Sequence, residues 1–379
     1  MDRTMTAGSP TVRFVSKTIA PPWNDGSKVL VRDLLTSLPT FRSQVYAENP
    51  HPSWGPLVEV MVPARGASQL RANLGTFGKL LLDGPPEVFH FVFAPNLPSS
   101  TASRIVALSH RVRGWNGCTV QTIASRPKDF ANVRRLLFGD VIVCQSQSTR
   151  DACVHAGVAA ERLRIVPPFI VEPHVTPARM ADFREKNLLG RAPYLLYAGD
   201  LEVSDGAWVF ARSIRRISDE FPRMRFVFAC RPKTPRAAEV QRAIAAELAR
   251  ANLAHLTYNL GEVSDVHALI AAAEAVLFPV NDLYGKIDLP LILLEAMALG
   301  VPVLASNHGP LADLAPMPLV PPSKPDALAE LAVELLRKPG EKFRVGHLGR
   351  KLFEERYTAA SGARAYEHVY REGLSQQRE

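Results

Sequence analysis

Very little in this chain suggests a disulfide framework, a bound metal or a membrane span. The 379 residues include four cysteines, Cys118, Cys144, Cys153 and Cys230. None sits in a CxxC pair or has a histidine at ligand spacing, so buried free thiols in a reducing compartment are expected. Long apolar runs are missing too. The richest, Val266–Val280, is broken by His267 and Glu274 and is too short to span a bilayer. The opening residues, MDRTMTAGSPTVRF, lack the apolar core of a secretory signal. There is no GxxxxGK[ST], GxSxG, HExxH or DxD. P-loop hydrolysis, serine hydrolysis, zincin chemistry and a metal-clamped diphosphate are therefore disfavoured, and no metal site is expected.

What is present describes a globular protein of two domains. A chain of this length can bury two cores, and its 47% hydrophobic and 22% charged residues are ordinary for a soluble fold. The net charge of +8 calls for an anionic partner: nucleotide phosphates, an anionic membrane surface or nucleic acid. Bases are dense between Arg104 and Arg135, with Arg111, Arg113, Arg126, Lys128 and Arg134 among them. Few aromatics interleave with them, so nucleic acid is excluded as the expected partner. A solvated basic face is one reading; adhesion to anionic lipid or a phosphate-bearing acceptor is the other. The expected location is cytoplasmic, with at most peripheral contact at the inner face of the membrane.

Along the chain, strand and helix patterns alternate. Thr11–Ser16 reads as a first strand after a few disordered residues, followed by the turn cluster Pro21–Ser27 and a helix over Lys28–Ser37. Gly26 in that turn would let backbone approach a ligand at the strand's carboxyl edge. Strands are expected at Leu57–Pro63, Glu87–Phe93, Cys118–Ile123, Asp140–Cys144 and Arg162–Val166. Helices are expected at Ala67–Leu82, Ser100–Val112 and Thr149–His155. His90 lies mid-strand and reads as a hydrogen-bonded core histidine, whereas Asn96 and Ser125 stand at strand ends, where acceptor contacts are made. Prolines 167, 168, 173 and 177 mark a linker around Pro168–Thr176. Beyond it come strands at Tyr194–Ala198, Arg225–Ala229 and Leu256–Leu260, and helices at Trp208–Ile217, Glu239–Arg250 and Val266–Ala273. Further helices are expected at Asp326–Leu336, His347–Arg356 and in the tail from Thr358, with Tyr366 and Tyr370 on one face.

The most informative stretch is Val276–Ser306, VLFPVNDLYGKIDLPLILLEAMALGVPVLAS. It reads as a buried strand, a polar loop, a helix with Pro290 in its first turn and Gly300 as its stop, and a second buried strand. Such a loop delivers a ligand to a helix N-terminus, where free N–H groups and the helix dipole favour an anion. Lys286 adds positive charge just before the helix. Asp288 and Glu295, seven apart, project in roughly the same direction if Asp288 is near-helical. One would hold the hydroxyls of a sugar and the other those of a ribose. A capped amphipathic helix with a solvated acid explains the stretch equally well by itself.

This stretch resembles the nucleotide-binding core of retaining glycosyltransferases of the GT-B type, group 1 and family 4-like. Those enzymes show a Glu, seven residues and a second Glu, in a form like E-G-F-G-L-P-L-L-E-A-M-A-C-G-x-P-V-V-A-S. Leu291–Ser306 follows the pattern almost residue for residue, and Asp140–Ser146 resembles the family's D-x-V-I-x-x-S strand. The resemblance implies an α/β fold: two Rossmann-like doubly wound domains facing a central cleft, with a C-terminal helix crossing back to the first. The domains would be 1–172, with the tail 358–379, and 173–357. It implies a nucleotide-sugar donor as substrate and no cofactor, with Glu295 on the donor ribose. Catalysis would fall to Asp288, Glu295 and Lys286. Gly26, Arg231, Lys233, Gly261, Val263, Gly285, Leu289, Pro290 and Leu291 would bind the donor. Asn96 and Ser125 would face a glycan, lipid-linked or natural-product acceptor.

Three positions depart from the pattern. Ile287 occupies the place of the first Glu, with Asp288 one residue along. Ala124 and Ser125 stand where family members have a histidine. Acids at Asp200, Glu202 and Asp205 replace the Arg and Lys that clamp the donor phosphates; Arg231, Lys233 and Lys286 are the residues able to compensate. These departures keep a catalytically silent module of the same fold, binding sugar nucleotide or a partner protein, as the alternative reading.

Overall fold

A computed structural model describes residues 9–17, 19–21, 23, 25–47, 54, 58–61 and 69–378, the backbone alone at 69–73. The N-terminal residues expected to be disordered, Pro22 and Asn24 of the first turn, and the ends of the strand expected at Leu57–Pro63 lie outside them. The chain divides into two compact units. The first comprises Met1–Val171, Tyr284–Leu289 and Arg356–Glu379; the second comprises Glu172–Leu283 and Pro290–Glu355.

The first unit is built on β1 (Thr11–Ser16), β2 (Arg42–Tyr46), β3 (Val58–Met61), β4 (Val88–Phe93), β5 (Cys118–Ile123), β6 (Val141–Cys144) and β7 (Leu163–Ile165). They form one parallel sheet in the order β3-β2-β1-β4-β5-β6-β7. The buried runs of β5 and β6, and of β4 up to Val92, are what a parallel sheet covered on both faces demands. Sequence reading missed β2. Its residues RSQVY carry polar Arg42 and Gln44, and the strand is held partly by cross-strand polar pairs. Arg13 donates to Gln44 (2.9 Å), which donates to Glu59 (2.8 Å).

The second unit repeats the plan with β8 (Tyr194–Tyr197), β9 (Arg225–Phe228), β10 (Thr257–Asn259), β11 (Ala275–Phe278), β12 (Val303–Ser306) and β13 (Leu319–Val320). Their order is β10-β9-β8-β11-β12-β13, again parallel. Both sheets thus reverse direction next to their first strand, and the carboxyl ends flanking that switch point are where open α/β sheets take ligands.

The final helix, Ala359–Gln376, packs on the first unit. Ala363, Tyr366, Val369 and Tyr370 enter that unit's core beside Phe14, Val88 and Val120. A Cβ on Gly362 would lie 2.0 Å from the ring of Phe169, so only glycine permits this approach. His90 is the core histidine that its mid-strand position predicts. Its Nε2 meets Thr122 Oγ1 at 2.7 Å and its Nδ1 meets the Tyr370 hydroxyl at 2.8 Å, and burial pushes its pKa down to about 3. All four cysteines are buried and free. No helix among the described residues is long and apolar enough to cross a membrane.

The expected boundary of the second domain needs one correction. Tyr284–Leu289, placed within 173–357 by sequence, belongs to the first unit. The backbone explains it: Arg126 N donates to Lys286 O (2.7 Å) and Gly285 N donates to Arg126 O (3.0 Å).

Candidate active site

At the first unit's carboxyl edge, β1 runs to the loop that ends at Asp25 and the Gly26–Ser37 helix. Asp25 caps that helix, accepting from Ser27 N (2.9 Å) and Ser27 Oγ (2.6 Å), and pairs with Lys17 at 2.8 Å. Burial pushes its carboxyl pKa up, but the bonds from Lys17 and Ser27 outweigh this and hold it at about 2. Gly26 is the first helical residue, and the chain's own carboxylate already occupies the helix start. An anion approaching Gly26, the contact expected from sequence, would meet Asp25 at the helix start.

Asn96 caps the Leu97–Val112 helix. Its Oδ1 accepts from Ser99 N (2.9 Å) and its Nδ2 donates to Ala94 O (2.8 Å). The oxygen serves the cap and the nitrogen the preceding turn, and Asn96 is exposed at this edge. Ser125 follows β5 and is half-buried at the same edge.

From sequence, Asp288 either takes the sugar contact of the missing first Glu or leaves that acid function absent; it is 2% exposed. Ser146, the cap of the Gln147–His155 helix, donates to its Oδ2 at 2.6 Å, and Arg126 stands 3.9 Å from Oδ1. Arg126 in turn donates to Thr149 Oγ1 at 2.7 Å and lies over the ring of Phe130. Asp288 thereby fastens Tyr284–Leu289 to the loops after β5 and β6. Ile287 and Leu289, the latter expected at the donor, are buried with it. Lys286 stays half-buried and Gly285 is exposed with a φ of +70°.

Gln145, directly before Ser146, was not singled out from sequence. It is 1% exposed, and neither its Oε1 nor its Nε2 has a partner among the described residues. A buried primary amide left unpaired costs about 1–3 kcal/mol per group, so a ligand or water is needed to complete it. Its only sequence signal was its place at the end of a buried strand.

In the second unit, Pro290 is the cap of the Leu291–Ala298 helix and not part of its first turn, since its ψ of 132° is extended. Glu295 lies inside this helix with its side chain 15% exposed, and its Oε1 is 3.3 Å from Nε2 of His267 on the neighbouring Val266–Ala271 helix. Leu291 is half-buried at the helix start. Gly261 has a φ of +64°, and Val263 is half-buried two residues on, both after β10.

Acids dominate the switch point itself. After β8, Asp200 is 4% exposed and pairs with Lys233 at 2.9 Å. In this structure the charge of Lys233, expected to face a ligand, is met by Asp200. Glu202 accepts from the backbone N–H groups of Lys233 (3.0 Å) and Thr234 (2.7 Å) through one oxygen. Asp205 accepts from Ser323 Oγ, and its own N–H donates to Asn281 (3.3 Å). The other oxygens, Glu202 Oε2 and Asp205 Oδ1, are buried without a partner among the described residues. Arg231 is half-buried two residues before Lys233. Among the described residues, no three His, Cys, Asp or Glu side chains gather as metal ligands.

Two Rossmann-like parallel sheets of 3-2-1-4-5-6 order define the GT-B class of fold, and this protein has it. Residues 192–338, in the second unit, match the family model described as glycosyl transferases, group 1. No curated protein matches the chain by sequence. Among solved structures it resembles HepE from Anabaena in complex with UDP and glucose, with a TM-score of 0.72 and 14% identity over 95% of this chain and 99% of that one. Sucrose-phosphate synthase from Thermosynechococcus elongatus gives a TM-score of 0.72 and 18% identity over 97% and 100%. WaaG, a glycosyltransferase involved in lipopolysaccharide biosynthesis, gives 0.60 and 16% identity over 95% and 99%.

Proposed function

We propose that this protein is a retaining glycosyltransferase that moves a hexose-like sugar from a nucleotide-diphosphate donor to a glycan, lipid-linked or natural-product acceptor. The observation that carries this reading is the Leu291–Ala298 helix, in a matched group 1 domain, with Glu295 inside it and its N-terminus just after Pro290. In this reading the leaving diphosphate settles at the helix N-terminus, where amide dipoles disperse its charge without a divalent metal. Glu295 holds the donor ribose, and Arg231 and Lys286 add positive charge. The nucleotide base packs beside Gly261 and Val263. The acceptor hydroxyl attacks from the leaving-group face and gives its proton to a donor phosphate oxygen, so the protein chiefly positions and disperses charge. With Asp288 committed to the fold, Gln145 and Ser125 are the polar groups left to meet a sugar on the first unit. The HepE structures hold UDP, UDP and glucose, or UDP-glucose, which makes a uridine donor the first to try.

Asp200, Glu202 and Asp205 favour a second reading, a catalytically silent GT-B module, because they place negative charge where phosphate-binding bases are expected. Incubation with UDP-, GDP- and ADP-sugars separates the two. Nucleotide release from one donor supports the enzyme. Binding without release across donors and acceptors supports the silent module, and no binding at all removes both.

A further inference from the structure

Glu295 is the one polar residue in its helix, Leu291–Ala298, which reads LILLEAMA and buries Leu293, Leu294, Ala296, Met297 and Ala298. No neighbour on that helix can therefore hold the Glu295 carboxylate in one rotamer. A glutamate whose side-chain torsions are free loses that freedom when it grips a ligand, and binding weakens accordingly. The Val266–Ala271 helix of the same unit supplies the missing partner. Its second residue, the half-buried His267, brings Nε2 to 3.3 Å from Glu295 Oε1. Among the described residues this is the one hydrogen bond of the Glu295 side chain, and it leaves Oε2 open.

The surroundings of His267 leave it to this task. Asp265, two residues before it, caps the same helix, and its carboxylate is fully engaged. It accepts from Ala268 N at 3.0 Å and takes two bonds from Arg179, at 2.6 and 2.8 Å. Those bonds also tie the helix start to the Pro177–Lys186 helix, so His267 rides on a turn fixed from both sides. As a partly exposed pair, His267 and Glu295 add little to stability; what the contact supplies is direction. An imidazole holds a carboxylate through its Nε2–H without needing a charge of its own, so Oε2 stays a strong acceptor for a hydroxyl. A lysine or arginine in its place would cancel that charge.

We infer that His267 is a positioning residue: it orients Glu295 so that Oε2 reads the ribose hydroxyls of the donor, and it thereby sets a preference for ribonucleotide over deoxynucleotide. This role rests on the nucleotide-donor reading proposed above. Calorimetric titration of UDP, GDP and ADP first finds which nucleotide binds the wild type. Its 2′-deoxy and 3′-deoxy forms are then titrated into the wild type, His267→Ala and Glu295→Gln. The wild type should bind the ribonucleotide about tenfold or more tightly than the weaker deoxy form. In His267→Ala that ratio should fall to about twofold, through weaker binding of the ribonucleotide, while affinity for the deoxy form changes less than about twofold. Alanine suits a helix, and thermal melting checks that the variant is folded; His267→Leu takes its place if it is not. A ratio equal to that of the wild type, or an equal loss for ribonucleotide and deoxy form, overturns the inference alone and assigns the pair to packing. If Glu295→Gln keeps the wild-type ratio, or no nucleotide binds the wild type, the ribose reading of Glu295 fails and takes the inference with it.

Discussion

The carboxylates at the two sheet edges have been put to different uses. In the first unit, Asp25 and Asp288 are each taken up by the fold, one capping a helix under Lys17 and the other held by Ser146 near Arg126. In the second, Asp200 is countered by Lys233, but Glu202 and Asp205 each keep one buried oxygen without a partner among the described residues. The same strand order thus supports an edge whose charge is spent on structure and an edge whose charge is only partly met. Unmet hydrogen-bonding capacity in a folded interior is where a ligand is most readily read.

The largest expected effect lies in the first unit's core. His90 is neutral when folded, with its pKa pressed down by burial to about 3, and becomes protonated once unfolded below about 6.5. The unfolded chain therefore binds more protons as pH falls, and the stability His90 confers is full above 6.5 and lost progressively toward 3. Urea unfolding between pH 7 and pH 4 should show a loss of about 3 kcal/mol from this group. His90→Gln should flatten that dependence. A wild-type profile that is already flat would remove His90 from the account.

Asp288→Ala should cost about 2 kcal/mol, the scale of a hydrogen bond to a charged group. It should also raise proteolytic cleavage near the exposed Tyr284–Gly285, because the segment loses its fastening to Ser146. Denaturant midpoints and the cleavage pattern check both. If Asp288 instead served only a ligand, stability would be unchanged and activity alone would fall.

A smaller effect is expected in the second unit. Asp200→Asn removes the partner of Lys233 and leaves one more net positive charge near the switch point. Nucleotide affinity should rise about fivefold, the scale of one partly screened charge. Calorimetric titration with UDP reads it directly. Unchanged affinity would mean that the acidic loop does not face the phosphates.

Much of the architecture was legible because it is local. Cys118–Ile123 was expected as a strand and is one to the residue, since a short run rich in β-branched residues (Thr119, Val120, Thr122, Ile123) and bounded by turn residues has few other fates. Helix starts were harder to place: Ser146 caps a helix that begins at Gln147, two residues before the periodic pattern suggested. β2 was missed because Arg42 and Gln44 satisfy each other's neighbours across strands, which a single stretch does not display. At the candidate site, the helix Leu291–Ala298 was legible because one segment held all the information for it. The contacts of Asp288 were not legible because its partners, Ser146 and Arg126, lie more than 140 residues away along the chain. The ion pair of Lys233 was hidden for the same reason, its charge being answered by Asp200 from another strand end.

The central claim is that a nucleotide diphosphate binds at the start of the Leu291–Ala298 helix with Glu295 on its ribose. The decisive measurement is calorimetric titration of UDP, GDP and ADP into the wild type and into Glu295→Gln. The account predicts that one nucleotide binds the wild type and binds the variant about tenfold or more weakly, as loss of a charged hydrogen-bond acceptor requires. Binding that is equal in both proteins, or no binding of any nucleotide to the wild type, would contradict it.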